Sequence, residues 1–220
     1  MNIQIKDILA ILPGETPEAD FEAKKTDVYI EGDHISSVGA MPEGFKAEKV
    51  IDGTDRLLIP GLINAHTHSY MSFMRNCADD LSFMDWLFGR VDPIEQKMTD
   101  EDAYWGACLA ILEMMKSGTT CFNDMQMNIM QTTRAVKESG MRAVISRGLV
   151  GSGSDEAGRT RLNQAYEERD AFRVVDAAVR RNRVAVRHAV FGHGQVNEII
   201  IVLKKELLFD FRPVAIILTN

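Results

Sequence analysis

Two histidines separated by one residue, His66 and His68, stand in the stretch PGLINAHTHSYM. If the apolar residues before them form a strand, side chains at i and i+2 point to the same side, so the two imidazoles project together. Two imidazoles on one face suit Zn²⁺ or a similar divalent ion. The alternative is a strand exit where both histidines make ordinary hydrogen bonds, because a His-x-His pair is short and common.

The apolar run from Leu57 to Ile63 predicts a buried strand that carries the two histidines at its carboxyl end. Active sites of parallel α/β sheets and barrels form at that end, which favours the metal site over the ordinary strand exit. A catalytic zinc site needs at least three protein ligands and an open position for a water molecule. His188, just past a later strand, is a candidate third ligand, and a polar loop residue is the alternative there.

The elements that must position these histidines change character along the chain. Residues 1–57 are typical of short strands and turns, including a hairpin around Glu31–Asp33. From residue 58 onward, strand-like runs alternate with helical ones, which predicts a parallel sheet with crossover helices. One such helix follows Thr99, a predicted N-cap, and stops at Gly118. The run VAIIL near the C-terminus predicts a last strand.

The number of strand-helix units falls short of a complete barrel. We count four units with the start of a fifth, whereas a (β/α)₈ barrel typically takes about 250 residues. After Leu57 only 220 − 57 = 163 residues follow. We therefore expect an α/β fold: a β-sandwich portion over 1–57, an incomplete TIM-type (β/α) barrel of about four to five units over 58–195, and a divergent apolar tail over 196–220. Such an open half-barrel predicts poor solubility or obligate association.

The composition narrows the partners. A net charge of −7 and a pI near 5.3 argue against nucleic acid and against an anionic membrane surface. No apolar segment reaches the roughly 20 residues of a membrane span, and the N-terminus does not resemble a signal peptide. Three cysteines without a C-x-x-C pair are typical of reduced thiols in a cytoplasmic protein.

Three longer motifs resemble a known family. They are IPGLINAHTHSYMSFMRNCADD, VDPIEQKMTDEDAYWGACLAILEMMKSGTTCFNDM and GMRAVISRGLVG. They are similar to the metal-dependent amidohydrolase superfamily, and within it to the branch of S-adenosylhomocysteine and 5-methylthioadenosine deaminases and their chlorohydrolase relatives. The resemblance extends to about Arg161. It implies a metal cofactor, zinc or another divalent ion such as iron or manganese, and a metal-activated water that deaminates adenosine-type substrates.

The resemblance also implies roles for individual residues. His66 and His68 match the first two metal ligands. The positions that match substrate-binding residues are Glu95, Arg147, Arg159 and His188. Glu95 would contact the ribose hydroxyls of a nucleoside, for which a carboxylate acceptor is suited. From the residues alone, Glu95 as a solvated helix-entry acid and Arg147 as a salt-bridge partner stay open as alternatives, because surface charge is the base rate.

The family's remaining metal ligands and its proton-shuttling glutamate lie in the second half of its barrel, and from about Asn182 this sequence no longer resembles the family. Three hypotheses follow. The chain is part of a metal-dependent aminohydrolase that acts on a small, purine nucleoside-like substrate and is completed by a longer product or a second chain. Alternatively, it is a catalytically incompetent truncated fragment or a related chlorohydrolase or guanine-type deaminase. The third is a small metal- or nucleoside-binding module. Homo-oligomeric assembly stays open, and we expect negligible deaminase activity from these 220 residues alone.

Overall fold

The computed structural model describes residues 1–12, 20–150, 156–179, 184–191 and 215–219. In chain order its elements are β1 (Asn2–Leu12), β2 (Glu22–Glu31), β3 (His34–Val38), β4 (Lys49–Asp52), β5 (Arg56–Pro60), β6 (Leu62–Thr67), a 3₁₀ helix (Ser69–Met74), α1 (Phe83–Trp86), a π-helical turn (Leu87–Val91), α2 (Asp92–Glu95), α3 (Asp100–Lys116), β7 (Thr119–Gln126), α4 (Ile129–Ser139), β8 (Arg142–Val150), α5 (Glu156–Val179), β9 (Val184–Phe191) and β10 (Ala215–Thr219). The described helices include none long and apolar enough to cross a membrane.

These elements divide into two compact units, the first made of Met1–Gly61 with β10. Its sheet has the strand order β10-β5-β1-β2-β3, and β4 also pairs with β1. Apolar side chains of β1, β2 and β5 form its core: Ile5, Ile8, Ala10, Val28 and Leu58. The predicted hairpin is confirmed, because β2 and β3 pair antiparallel around Gly32, whose φ of +64° suits glycine.

The predicted last strand is also confirmed. β10 pairs antiparallel with β5, with Ala215 opposite Pro60 and Thr219 opposite Arg56. These five residues therefore belong to the sheet of the first unit. The rest of the predicted apolar tail lies outside the described residues.

A bulge interrupts β1 between Ile5 and Ile8, and Asp7 within it has a φ of +58°. Gly53 fits against this bulge: its N–H donates to the Lys6 carbonyl over 2.7 Å. A Cβ on residue 53 would lie 2.5 Å from the same carbonyl oxygen, so only glycine fits.

Asp27 of β2 holds the bulge from the other side. Its Oδ1 accepts the N–H of Asp7 over 2.9 Å. Its Oδ2 accepts hydrogen bonds from the Gln4 amide over 3.1 Å and from the Tyr29 hydroxyl over 3.2 Å. The backbone hydrogen bond from Asp7 is the main reason why the pKa of Asp27 lies below its ordinary value.

The second unit contains the described elements from Leu62 to β9. Its four strands are parallel and lie in sequence order, β6-β7-β8-β9. Helices α3 and α4 cover β7 and β8 through one apolar core: Tyr104, Ala107, Ile111, Met114, Phe122, Ile129, Ala135, Val136, Met141, Ala143 and Ile145. The chain thus has the predicted mixed α/β fold, and its described strands do not close into a barrel.

The prediction of one buried strand from Leu57 to Ile63 is wrong. The apolar run is divided at Gly61 between β5 of the first sheet and β6 of the second. Leu62 and Ile63 are 50% and 53% exposed, because β6 is an edge of the sheet that the described strands form. An apolar run alone does not indicate that the chain changes sheets within it.

Helix α3 begins as predicted and packs closely on the segment after β6. Thr99 caps it, since the N–H of Asp102 donates to Thr99 Oγ1 and Asp102 Oδ2 accepts the N–H of Thr99. A Cβ on Gly106 would lie 2.5 Å from the Tyr70 carbonyl oxygen. The Ser72 hydroxyl donates to the Gly106 carbonyl over 2.7 Å. Glycine in mid-helix therefore lets α3 support the 3₁₀ helix directly.

Candidate metal and substrate site

His66 and His68 lie at the carboxyl end of β6, with ring centroids 4.9 Å apart and ring planes perpendicular. Nδ1 of His68 is 2.8 Å from the backbone carbonyl oxygen of Met125 on β7. Because a carbonyl only accepts, Nδ1 must carry the hydrogen, which leaves the lone pair of a neutral imidazole on Nε2. Metal-ligating histidines typically donate their other ring N–H to such a group.

Between the two histidines, Thr67 points the other way, as strand alternation predicts. Its hydroxyl donates to Asp124 Oδ1 over 2.7 Å. Ser69 donates to the same carboxylate twice, from its N–H to Oδ1 over 2.8 Å and from its hydroxyl to Oδ2 over 2.6 Å. Asp124 has no exposed surface, and this burial raises its pKa while the hydrogen bonds from Ser69 and Thr67 oppose the rise.

Glu95, the predicted substrate-contacting acid, is joined to the same segment through Tyr70. The Tyr70 hydroxyl donates to Glu95 Oε1 and accepts the N–H of Met127 over 3.2 Å. Burial is the main reason why the pKa of the Tyr70 phenol lies above its ordinary value. Glu95 is half-buried at the end of α2, so the alternative of a fully solvated acid does not describe it.

Arg147 on β8 turns toward α5. Its Nη1 is 2.6 Å from Glu168 Oε1, and its Nη2 donates to the Gln164 side chain over 3.2 Å. Both charged side chains are only 13% exposed. The salt bridge is the alternative that the sequence left open for Arg147, and in this structure its guanidinium is engaged in it.

The two other predicted substrate residues are placed less completely. Arg159 is exposed in the first turn of α5. The backbone of His188 on β9 lies directly opposite Arg147 of β8 in the sheet. The side chain of His188 lies outside the described part of the structure.

His66 and His68 suit two of the coordination positions around a single divalent metal ion. Both rings are close enough for one cation at Zn–N distances of about 2.0–2.1 Å, and His68 has the matching tautomer. Within the described ranges, no cluster of three or more His, Cys, Asp or Glu side chains forms a full ligand set. The metal would therefore need further ligands in addition to this pair.

Sequence reasoning missed three groups that shape the site: Asp124, Tyr70 and the Met125 carbonyl. Asp124 lies in the run TTCFND, whose pattern indicates a strand and no role for the carboxylate. A carboxylate near the end of the strand next to the histidine strand is a signal that sequence reasoning had available. The carbonyl of Met125 leaves no mark in the sequence, since every residue has one.

The family follows from a comparison with known protein families. The model of the amidohydrolase family matches residues 57–196, which is more than half of the chain. The chain belongs to the amidohydrolase family. This matched region contains the histidine pair, Glu95 and the whole β6-β7-β8-β9 sheet.

Several known relatives of this amidohydrolase-family chain share one name. The 5-methylthioadenosine/S-adenosylhomocysteine deaminase of Thermoanaerobacter pseudethanolicus is 41% identical over 162 residues, which cover 74% of this chain and 37% of the relative. The protein of the same name from Acetivibrio thermocellus is 50% identical over 121 residues, covering 55% of this chain and 28% of the relative. The chain thus spans about a third of the length of these relatives.

Solved structures of similar fold include an adenosine deaminase from Xanthomonas campestris with bound zinc. It has a TM-score of 0.68 and 25% identity, and the match covers 86% of this chain and 42% of that one. A guanine deaminase from C. acetobutylicum with guanine in its active site has a TM-score of 0.66 at 19% identity, over 87% of this chain and 46% of that one. The second likeness concerns the fold alone.

Proposed function

We propose that this chain carries the first part of a metal-dependent active site that deaminates adenosine-type substrates such as 5-methylthioadenosine and S-adenosylhomocysteine. The observation that carries the proposal is the hydrogen bond from His68 Nδ1 to the Met125 carbonyl, which leaves Nε2 for a metal beside His66. Membership of the amidohydrolase family and relatives named as deaminases support the same reaction. We also propose the fold that this implies, an incomplete TIM-type barrel over 58–195 between a sandwich portion and a tail.

His66 and His68 would hold the metal, zinc or another divalent ion such as iron or manganese. When bound, the metal lowers the pKa of a water molecule and so provides a nucleophile at neutral pH. The chain's own contribution is to fix the His68 imidazole. The Met125 carbonyl accepts from its ring, and Asp124 accepts from the neighbouring Thr67 and Ser69.

Glu95 would bind the sugar of the substrate. Tyr70 engages Oε1 of this carboxylate and thereby fixes its direction, and Oε2 is then the acceptor for a ribose hydroxyl. Since Tyr70 directly follows the histidine turn, the same segment sets the metal ligands and the substrate-binding acid relative to one another.

Arg147, Arg159 and His188 remain proposals for the outer part of the substrate. Arg147 now pairs with Glu168, so binding an anionic substrate group there requires an exchange of one carboxylate for another. Arg159 is exposed near the start of α5. His188 would act from the strand next to Arg147.

A catalytically incompetent fragment is the second candidate function. The observation that favours it is the incomplete donor set, since the described residues contain only the histidine pair and catalytic zinc sites use three protein ligands. A chain that covers 37% of a deaminase relative would then hold the site's first half without its activity.

Ammonia release from 5-methylthioadenosine and S-adenosylhomocysteine tests the proposal. We expect negligible release by the 220-residue chain with Zn²⁺. We expect activity from a chimera in which the matching segment of this chain replaces that of the Thermoanaerobacter pseudethanolicus deaminase. In the chimera, His66→Ala and His68→Ala should each reduce the rate by about 100-fold or more, exceeding the 10–100-fold typical of groups that only orient ligands.

His34→Ala is the matched control, because this histidine is exposed in the hairpin of the first unit. Its rate should equal that of the parent chimera. A chimera that keeps its rate after loss of His66 or His68 would contradict the proposed metal site.

A further inference from the structure

Consecutive residues at the end of β7 form hydrogen bonds with consecutive residues at the end of β6 and directly after it. Asp124 accepts from Thr67 and Ser69, and the Met125 carbonyl accepts from His68 Nδ1. In the amide orientation that satisfies both of its ends, the Gln126 oxygen accepts the N–H of Tyr70 over 3.2 Å and shares the N–H of Ser69 with Asp124. Four consecutive residues, 67–70, are thus fixed by three consecutive residues of the neighbouring strand.

Within this arrangement, Asp124 contacts the residues on both sides of His68. Its three hydrogen bonds, of 2.6–2.8 Å, come from the side chain before the histidine and from the backbone and side chain after it. Fixing both neighbours fixes the backbone of His68 and thus the direction in which its ring leaves the chain. The ring then meets the Met125 carbonyl, the residue next to Asp124.

We propose that Asp124 is a positioning residue for the metal ligand His68, which it holds in the Nδ1–H tautomer with Nε2 directed at the metal. This inference rests on the proposed function only in calling His68 a ligand. The carboxylate acts on His68 through Thr67 and Ser69.

The cost of burying the Asp124 carboxylate distinguishes this role from simple core packing. A carboxylate without exposed surface is expensive to bury, and its three donors offset that penalty only while the turn keeps its shape. An apolar residue of similar size would pack in the same volume without this constraint. The buried acid therefore makes the turn around His68 conformationally specific, which packing of an apolar side chain would not do.

Two variants separate geometry from charge. Asp124→Asn keeps an oxygen for the Thr67 hydroxyl and the Ser69 N–H, and its amide can donate to the Ser69 hydroxyl, which accepts as well as donates. Asp124→Ala removes both acceptor oxygens and with them all three hydrogen bonds. The positioning role therefore predicts that Asn retains the arrangement and that Ala loses it.

The test uses the 220-residue chain and two measurements. Long-range ¹H–¹⁵N NMR spectra, recorded at about pH 8.5 where imidazoles are neutral, report which nitrogen of His68 carries the hydrogen. Titration with Co²⁺ reports metal affinity through its visible absorption. Wild type and Asp124→Asn should show Nδ1–H at His68 and Co²⁺ affinities within a few-fold of each other. Asp124→Ala should shift His68 toward the Nε2–H form and weaken Co²⁺ binding about 10–100-fold.

Ile111→Ala is the control for general loosening, because Ile111 is equally buried in the same unit but lies on α3. It should lower stability and leave the His68 tautomer unchanged. If Asp124→Ala does not fold, Thr67→Val decides instead, since it removes one hydrogen bond with little change in shape and should shift the tautomer partially.

The positioning role is wrong if Asp124→Ala, or Thr67→Val in its place, keeps the wild-type tautomer and Co²⁺ affinity. It is equally wrong if Ile111→Ala moves the tautomer as far. A wild-type chain that shows the expected tautomer but binds no Co²⁺ supports the positioning role, and the His68→Ala variant of the chimera then decides whether His68 is a metal ligand.

Discussion

Asp27 in the first unit and Asp124 in the second make the same kind of contact with opposite consequences. Each accepts one backbone N–H and two side-chain hydrogen bonds. The pKa of Asp27 is lowered, chiefly by its backbone hydrogen bond, whereas the pKa of Asp124 is raised, chiefly by burial. The two carboxylates accept the same kinds of hydrogen bonds, so the difference in burial decides whether folding favours or disfavours the charged form.

This difference separates a structural role from a functional one. Asp27 stabilises the bulge of β1 from a partly exposed position, where its charge costs less to bury. The first unit is therefore more stable when Asp27 is ionised. Asp124 is buried at an energetic cost beside His68, which we propose as a metal ligand. Strained or costly groups concentrate at functional sites, and of these two aspartates only Asp124 lies beside the proposed site.

The largest effect on stability that we expect comes from a change at Gly106, the glycine of α3 that packs against the 3₁₀ helix after the histidine pair. Gly106→Ala would gain up to about 1 kcal/mol of helix propensity. Its Cβ, however, would meet the Tyr70 backbone at 2.5 Å, and overpacking of this kind costs about 1–3 kcal/mol or more. We therefore expect a net loss of about 2 kcal/mol in the second unit. Urea unfolding followed by tryptophan fluorescence measures it, because Trp86 and Trp105 both lie in that unit.

Two other glycines calibrate that result. Gly53→Ala meets the Lys6 backbone equally closely and should destabilise the first unit without shifting the tryptophan transition. Gly89→Ala has open space around its Cβ and should leave stability equal or slightly higher. A Gly106→Ala chain as stable as wild type would contradict the close support of the 3₁₀ helix by α3.

The next largest effect that we expect is on the pH dependence of the first unit's stability, through Asp27. Its folded-state pKa is lowered, so its stabilising contribution is present above the unfolded pKa of about 3.9 and is lost as pH falls through the folded value. Asp27→Asn should cost about 1 kcal/mol at pH 7 and flatten the fall in stability below about pH 4. Methyl NMR signals of Ile5 and Ile8, followed through urea unfolding, report on this unit alone.

Asp124 has the opposite sign, because a raised pKa gives a contribution that is largest below the unfolded pKa and declines as pH rises. Measuring the pH dependence of stability for both units in one sample therefore separates the two contributions. Parallel pH profiles for the two units, or an Asp27→Asn profile as steep as wild type, would contradict the assignment of the acid dependence to Asp27.

Local signals made much of this structure predictable from the sequence. Thr99 caps α3 and Gly140, with a φ of +72°, ends α4, because capping depends on residues within one turn. The shared direction of His66 and His68 follows from the strand period. The hairpin around Gly32 and the final strand likewise follow from local residue patterns.

Features that depend on which strands become neighbours were not predictable in the same way. The change of sheet at Gly61 lies inside one apolar run, and the exposed edge at Leu62 depends on what pairs with β6. The pairing of Arg147 with Glu168 joins residues 21 apart on two elements, and either partner alone looks like a surface charge. The role of Asp124 requires knowing that β7 lies beside β6.

The smallest effects should come from surface ion pairs, again one in each unit. Lys25 lies 3.5 Å from Asp7, and both side chains are well exposed. Arg134 is more engaged, since it pairs with Glu101 and Glu138 and its guanidinium lies 4.0 Å from the centre of the Tyr104 ring. Multiple partners and an aromatic face make the arginine the stronger of the two contacts.

We expect Lys25→Met to leave the unfolding midpoint of the first unit unchanged within error, because exposed single pairs contribute little against side-chain entropy and salt screening. Arg134→Met should lower the urea midpoint of the second unit slightly, by less than Gly106→Ala does. High salt should remove most of this difference, because salt screens the ion pairs and methionine can still pack over the Tyr104 ring. Equal midpoint shifts for the two variants at low salt would show that partner number does not separate these pairs. The distinction between the units would then be confined to their buried groups.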